Sequence, residues 1–163
     1  MDDVTIEEID PDHPDALWCL ESYFRELTER FAEGFERERS LYPDLDSLRP
    51  PTGIFLVARL GDRPVACGGV TLASEDVAYI KRMWVDRSAR GLGLGRRMLA
   101  ALETAAVGLG CRMVQLETNR SLREAQQLYR SAGYEEVAPF NDEHYAHHWF
   151  RKRLDRTEGQ SSA

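Results

Sequence analysis

Three apolar runs in the middle of the chain have the length and composition of β-strands. They occupy residues 53–60, 65–72 and 77–85 and are rich in valine, isoleucine and aromatic residues. Between the first two lies the segment 61–64, Gly-Asp-Arg-Pro, which combines residues typical of tight turns. The pattern predicts an antiparallel meander of three strands.

Apolar residues in the N-terminal part recur every three or four positions, which is the period of one face of an α-helix. A short strand at residues 4–9 comes first, and Asp10, Pro11 and Asp12 supply a helix-start signal. We therefore expect one or two helices within residues 13–39. The apolar positions are Leu17, Leu20, Tyr23, Phe24, Leu27 and Phe31.

Helices and strands alternate after the meander. A glycine-rich turn opens a helix that Gly108 and Gly110 end, and Gly133 ends a later helix. The order of the elements predicts a mixed α/β sandwich. The elements expected after the turn are a helix from Leu94, a strand at 111–119, a helix at 122–132 and strands at 134–137 and 147–154.

The length of 163 residues fits one domain. We expect it to span residues 1–155, followed by a disordered tail at 156–163, whose residues are mostly small and polar. No apolar run approaches the roughly 20 residues that cross a bilayer, and the acidic N-terminus is unlike a signal peptide. Cys19, Cys67 and Cys111 are an odd number of widely spaced cysteines, typical of reduced core thiols. These features predict a cytoplasmic protein.

The net charge of −7 is unevenly distributed. Acidic residues outnumber basic ones about threefold in residues 1–50, whereas basic residues are in slight excess in residues 51–163. An acidic first third repels nucleic acid, and a mildly basic remainder is able to receive a polyanionic ligand. We expect neither a nucleic-acid nor a membrane partner.

The strongest local signal for a ligand lies between the third strand of the meander and the next helix. Gly91, Gly93 and Gly95 alternate there, and glycine lets backbone N–H groups approach a ligand without a clash with Cβ. The start of the helix adds partial positive charge, and three arginines lie nearby. The segment therefore suits a pyrophosphate. The arginines are Arg90, Arg96 and Arg97.

Two other phosphate-binding motifs do not fit this segment. A dinucleotide-binding fold places G-x-G-x-x-G after its first strand, whereas here G-x-G-x-G follows three antiparallel strands. A Walker P-loop needs lysine followed by serine or threonine, which this segment lacks. A glycine-rich helix start without any ligand remains the alternative.

Two segments together resemble the motifs of the GNAT superfamily of N-acetyltransferases. Residues 90–95 read Arg-Gly-Leu-Gly-Leu-Gly, and residues 125–134 match a later motif, A-x-x-L-Y-x-x-x-G-[FY]. The resemblance covers roughly residues 50–155. It implies the GNAT fold, a mixed and mostly antiparallel central sheet with helices on both faces. It also implies N-acetyltransferase activity with acetyl-CoA as cosubstrate.

Three further segments look like one bacterial subgroup of this superfamily, whose members sometimes carry a MarR-like helix-turn-helix domain in front. We expect this chain to have no room for such a domain. The segments are 81–85, 116–119 and 139–150.

The resemblance assigns roles to individual residues. The main chain of residues 83–85, in the third strand of the meander, is expected to bind the pantetheine arm. The amides of residues 92–97 are expected to hold the pyrophosphate. Tyr129 is expected to protonate the departing thiolate, with a core tyrosine as the alternative. The implied cofactor-binding residues are Met83, Trp84, Val85, Arg90, Gly91, Leu92, Gly93, Leu94, Gly95, Arg96, Arg97 and Asn119.

The general base has to be sought outside its usual position. Many members of the superfamily have a glutamate on the strand before the glycine-rich turn, but Tyr79 stands at the matching position. Glu117, on the strand next to the thioester, is the best remaining carboxylate, with a structural role or a water chain to solvent as the alternatives. Leu122 stands where the superfamily often has an asparagine, so one cofactor contact is missing. We predict Glu117 and Tyr129 as the catalytic residues.

A histidine-rich segment near the C-terminus resembles a metal site in composition. His147 and His148 are adjacent on a predicted strand, so their side chains point to opposite faces and cannot reach one ion. We expect no metal. We expect the loop 140–145 to border the acceptor channel instead, with His147 or His148 facing it. The predicted acceptor-binding residues are Asn141, Tyr145 and His147.

The predicted function is transfer of an acetyl group from acetyl-CoA to a primary amine of a small molecule, by direct attack in a ternary complex. The acidic N-terminal helices are expected to form the acceptor side, which favours cationic amines. A protein or peptide N-acetyltransferase and a non-catalytic acyl-CoA sensor are the alternatives. A homodimer is left open.

Overall fold

The structure, a computed structural model, describes residues 3–40 and 45–154. Its strands are Val4–Glu8 (β1), Gly53–Leu60 (β2), Arg63–Leu72 (β3), Val77–Val85 (β4), Met113–Thr118 (β5), Glu135–Val137 (β6) and His148–Arg153 (β7). Its α-helices are Pro14–Arg30 (α1), Leu94–Gly108 (α2) and Arg123–Ser131 (α3). The strands form one sheet in the order β1-β2-β3-β4-β5-β7-β6, and most neighbours are antiparallel. The predicted fold is confirmed, and the predicted tail lies outside the described residues.

The central meander depends on the turn chemistry of its first hairpin. Leu60 pairs with Arg63, so a two-residue turn of Gly61 and Asp62 joins β2 to β3. Gly61 has φ +64°, a left-handed conformation that glycine adopts without steric cost and that matches the twist of a hairpin. β4 then adds to β3 in the antiparallel sense, as predicted.

A β-bulge at Arg82 exchanges the two faces of β4. Arg82 has φ 59°, and the pairing of β3 with β4 shifts between Cys67 and Gly69. An extra residue in one strand moves the side chains that follow it to the opposite face. Ile80 accordingly belongs to the core under α2, whereas Trp84 belongs to the core under α1.

β4 and β5 run parallel but pair over only three residues each, Val77–Tyr79 with Met113–Gln115. On its other side β5 pairs along its whole length with β7, and β6 pairs with the outer edge of β7. Among the described residues, β4 therefore has no strand beside it beyond Tyr79 on this side. The sheet opens there into a V.

The helices cover both faces of the sheet. α1 packs on one face and α2 and α3 pack on the other, and alternate residues of β2 contribute to the two cores. Phe55 and Val57 face α1, whereas Leu56 and Ala58 face α2. All three cysteines are buried and unpaired, which confirms the prediction of core thiols.

The N-terminal region forms a single α-helix. α1 ends at Arg30 because Phe31 is extended, with ψ 138°, and Gly34 follows in a left-handed conformation. The remainder of the predicted helical region contains a short 3-10 turn at Arg37–Arg39. No helix in the described ranges is long and apolar enough to cross a membrane.

Candidate active site

Two adjacent cavities lie beside the V between β4 and β5. One, of about 350 Å³, lies between β4, the glycine-rich turn, α1 and α3, and is termed the turn cleft. The other, of about 110 Å³, lies between α1, β4, β5 and the loop before β7, and is termed the aromatic cavity. The residues that line both are Tyr23, Leu27, Met83, Leu122, Ala125 and Tyr129.

The glycine-rich turn gives the turn cleft an open main-chain wall. Gly91 and Gly93 have φ of +87° and +76°, and a Cβ on either would meet no atom within 4 Å. Gly93 is also the N-cap of α2 and offers no side chain to accept from the first amides of the helix. These amides are available to an anion, together with the partial positive charge of the helix start.

Side chains around the turn differ in how they relate to the cleft. Arg96 lines it and donates to the Ser131 hydroxyl at 2.6 Å. Leu92 and Arg97 are exposed and lie outside the lining of the cleft. The other predicted residues that line the cleft are Met83, Trp84, Val85, Arg90, Gly91, Gly93, Leu94 and Gly95.

Glu26 on α1 accepts hydrogen bonds from three side chains beside the turn cleft. Arg90 donates to its two oxygens at 2.8 and 2.9 Å, and the Trp84 indole donates at 3.0 Å. Arg30 adds a third donor at 3.1 Å. Burial raises the pKa of Glu26, but the three donors more than offset burial, so the pKa lies below its usual value. Glu26 is therefore charged and holds Arg90 against α1.

Arg30 continues this network to α3. Its guanidinium donates to Glu124 at 3.0 Å and to the Ser121 carbonyl at 3.0 Å. The series Arg90–Glu26–Arg30–Glu124 thus links the turn, α1 and α3, and is termed the ion-pair strap. It joins the two sides of the V where the sheet is unpaired.

Aromatic side chains form the α1 side of the aromatic cavity. Phe24 stacks on Phe35 with ring centroids 5.6 Å apart, and Tyr145 lies 4.8 Å from Phe35 and 5.5 Å from Phe31. Among the described residues, none of the acids of the first fifty positions lines this cavity. The expectation of an acidic wall is therefore wrong, because α1 turns its apolar face to the cavity.

Glu117 lies on the opposite wall in a hydrogen-bonded cluster. The Tyr79 hydroxyl is 2.6 Å from both carboxylate oxygens, and Asn141 Nδ2 donates to Glu117 and to Tyr79 at 3.1 Å. The Trp149 indole donates to Asn141 Oδ1 at 2.9 Å, which orients the amide. Burial raises the pKa of Glu117 against these hydrogen bonds. Burial and the nearby carboxylate raise the pKa of Tyr79 as well, so the phenol keeps its proton and is the donor.

Tyr129 lies where the two cavities meet. Its ring packs between Phe150 and Tyr134, with centroids 5.8 and 5.9 Å away. Burial raises the pKa of Tyr129, so its hydroxyl is protonated at neutral pH. The hydroxyl has no hydrogen-bond partner within the part of the chain that the structure describes. Tyr129 thus lines both cavities and has a proton that it is able to donate.

Two predicted binding residues have their polar groups engaged by the main chain. Asn119 donates to the Tyr145 carbonyl at 2.7 Å and accepts from the Ser121 amide at 2.8 Å. The Tyr145 hydroxyl accepts from the Glu36 amide at 2.8 Å. Both residues line the aromatic cavity and shape its wall.

The adjacent histidines have separate partners. His147 Nδ1 accepts from the Arg120 amide at 3.1 Å, and His148 Nδ1 lies 2.7 Å from Glu136. His147 lines neither cavity, so the structure does not bring it to the predicted place. In residues 3–40 and 45–154, no group of three or more histidine, cysteine or acidic side chains is arranged to hold a metal ion.

The sequence reasoning did not identify Tyr79, Lys81 or Glu26 as members of the site. Tyr79 and Lys81 are two positions apart on β4, and alternation along a strand puts them on one face, which was a usable signal. The Lys81 ammonium lies 4.3 Å from the centroid of the Tyr79 ring. No pattern in the sequence indicated Glu26, because its contacts with Trp84 and Arg90 depend on how α1 packs against the sheet.

Comparisons with known proteins agree with these features. The family model described as Acetyltransferase (GNAT) family matches residues 19–134. An IAA acetyltransferase from Azospirillum brasilense is 32% identical over 141 residues, which are 86% of this chain and 90% of that protein. A candidate acyl-CoA N-acyltransferase from Klebsiella pneumoniae has a TM-score of 0.75 and 28% identity over 93% of this chain and 98% of its own. An acetyltransferase of the GNAT family from Staphylococcus aureus Mu50 has a TM-score of 0.76 at 18% identity, over 93% and 99% of the two chains, a likeness of fold.

Replacing Glu26 with alanine should lower the free energy of unfolding by about 2 kcal/mol, because three donors lose their shared acceptor. Glu29→Ala is the matched control on the same helix, since Glu29 is 58% exposed and lies 3.9 Å from Arg87. Its effect should stay within about 0.5 kcal/mol. Urea denaturation measures the free energy of unfolding of both variants. Equal decreases would mean that Glu26 contributes no more to stability than an exposed glutamate of the same helix.

Proposed function

Because this chain belongs to the acetyltransferase (GNAT) family, we propose that it transfers an acetyl group from acetyl-CoA to a primary amine of a small molecule. The observation that carries the proposal is the meeting of two cavities at Tyr129, one with an anion-binding wall and one with a buried carboxylate. Two substrates that enter from opposite sides would meet at this residue.

The turn cleft suits the cosubstrate of the family. The amides at the start of α2 and the side chain of Arg96 are the groups that would hold its pyrophosphate. Beyond Tyr79, no described strand covers β4 on the side of β5, and its main chain there would pair with the amide-bearing pantetheine arm like an added strand. Arg90 is held by Glu26, so the phosphate charge falls mainly on the main chain and Arg96.

The side chains at the junction supply proton transfer. Acetyl-CoA brings an acetyl group already activated as a thioester, so the protein has to position the amine and handle protons. Glu117 accepts the proton of the incoming ammonium, and burial makes it a stronger base than an exposed glutamate. Tyr79 and Asn141 hold its carboxylate in place. Tyr129 donates a proton to the departing sulfur.

The size and lining of the aromatic cavity favour a small acceptor. Its volume of about 110 Å³ accommodates the end of a small molecule, and its α1 wall is aromatic. The acceptor class we propose is therefore a primary amine attached to an apolar group, with charge recognised by Glu117 rather than by the acids of α1. The resemblance to a bacterial subgroup and the domain span 1–155 stay predictions.

Release of the CoA thiol from acetyl-CoA in the presence of a panel of amines tests the proposal. Primary amines with aromatic or branched apolar groups should react fastest, because their apolar groups pack against the aromatic side chains of the cavity. Polar amines of the same size should react more slowly. Turnover with basic peptides alone would point to a protein acetyltransferase. Acetyl-CoA binding with no turnover on any amine or peptide would point to a sensor.

The phosphate role of the glycine-rich turn predicts that Gly93→Val abolishes stabilisation by acetyl-CoA. Acetyl-CoA should raise the melting temperature of the wild-type protein by mass action. A branched side chain at Gly93 fills the open space in front of the turn. Gly61→Val is the matched control, because Gly61 is also left-handed with no atom near its Cβ but lies in the β2–β3 hairpin. Loss of the shift in both variants, or in neither, would contradict the assignment.

Tyr129→Phe should lower turnover by about 100-fold, since the hydroxyl acts only as the thiolate leaves. The ring and its packing are kept, so the dissociation constant of acetyl-CoA should change less than a few-fold. Stopped-flow thiol release and equilibrium binding measure the two quantities. Unchanged turnover, with chemistry shown to limit the rate, would make Tyr129 a packing residue.

A further inference from the structure

Lysine is almost absent from this chain. Of its 21 basic residues only Lys81 and Lys152 are lysines, and the others are arginines. An arginine stays protonated in proteins, whereas a lysine is able to lose its proton and act as a nucleophile. One of the two, Lys81, lines the aromatic cavity.

Lys81 shares that cavity with the groups proposed for acetyl transfer. Glu117 and Tyr129 line the same cavity, and the Lys81 ammonium lies 4.3 Å from the ring of Tyr79, whose hydroxyl binds Glu117. Lys152 also lies near a tyrosine ring, 5.5 Å from the centroid of Tyr134, but it is on β7, lines neither cavity and pairs with Glu103 at 3.2 Å. The chain thus carries one primary amine inside the proposed site and a matched one outside it.

The surroundings of Lys81 favour its neutral form. Burial lowers the pKa of Lys81 to about 8, and the adjacent Arg82 on β4 adds to this effect. Glu117 on β5 and Glu143 in the loop before β7 oppose it without cancelling it. About a tenth of the amine is then neutral at pH 7, far more than for an exposed lysine.

We propose that Lys81 is an internal acetyl acceptor, which takes the acetyl group of bound acetyl-CoA when no amine occupies the aromatic cavity. This inference rests on the proposed function of the site. The neutral Nζ forms a bond to the carbonyl carbon, the bond from that carbon to sulfur breaks, and CoA leaves as a thiolate. The nitrogen loses one proton to Glu117 and the thiolate gains one from Tyr129, so the products are N-acetyl-lysine and CoA.

Acetylation of Lys81 has a consequence for the cavity. It removes a positive charge from the wall and adds the volume of an acetyl group to a space of about 110 Å³. The amine and Lys81 compete for one acetyl donor, so a saturating amine protects the lysine. Once modified, the protein acetylates amines more slowly. Shortage of the acceptor thereby switches the protein off.

The full-length protein, incubated with acetyl-CoA alone, tests the inference by peptide mass. Lys81 should gain one acetyl group about tenfold faster than Lys152, with a rate that saturates in acetyl-CoA, because the reaction starts from a bound donor. Lys81→Arg should keep the charge and lose the modification. Wild-type protein preincubated with acetyl-CoA should acetylate amines more slowly than untreated wild-type protein. The Lys81→Arg variant should show the same rate before and after this treatment.

The outcomes separate this inference from the proposed function. If the protein turns over an amine but Lys81 stays unmodified after incubation with acetyl-CoA alone, the inference is overturned and the proposed function is not. Equal, non-saturating acetylation of Lys81 and Lys152 overturns it too, because it marks chemical acetylation from solution. Modification of Lys81 without turnover of any amine supports the inference and contradicts an amine as the acceptor. Modification of neither lysine, without turnover, overturns both.

Discussion

The short parallel pairing of β4 with β5 is the constraint on which the rest of the molecule depends. The crossover through α2 brings the strands together at Val77–Tyr79, and the bulge at Arg82 interrupts β4 soon after pairing ends. β4 lies inside the sheet, but on the β5 side only three of its nine residues have a partner among the described strands. The remaining six residues leave main-chain groups without a strand partner on that side, and both cavities lie beside them. The position of Tyr129 in the lining of both cavities follows from this geometry.

An opened sheet needs another connection between its halves, and the ion-pair strap provides one. Half-buried charges are costly unless each has several partners, and Glu26 has three donors while Arg30 has three acceptors. The strap also neutralises Arg90, which the sequence places beside the expected phosphates. In the proposed function, anion binding therefore falls mainly to main-chain amides and Arg96, and the glycines of the turn matter more than Arg90.

The fold was predictable because its signals are local. Apolar runs, turn residues and helix ends identify β2, β3 and β4 almost to the residue, and the spacing around Gly93 and Tyr129 identifies the two motifs. Contacts between distant segments were not predictable. Glu117 meets Tyr79 and Asn141 only because β5 docks beside β4. The described residues between α1 and β2 form short 3-10 turns in place of a second α-helix. His147 was predicted to bind the acceptor because it is polar and close to the site in sequence. In the structure its Nδ1 accepts a hydrogen bond from the Arg120 amide instead.

β7 lies between β5 and β6, although it is the last of the described strands to be synthesised. Until it emerges from the ribosome, β5 has an open edge and β6 has no neighbour in the sheet. Glu117 pairs with Trp149 on β7, so the strand that carries the carboxylate is finished only when this insertion occurs. A nascent chain that pauses before residue 148 therefore exposes a bare strand edge, the kind of surface that holdase chaperones bind and that nucleates aggregation.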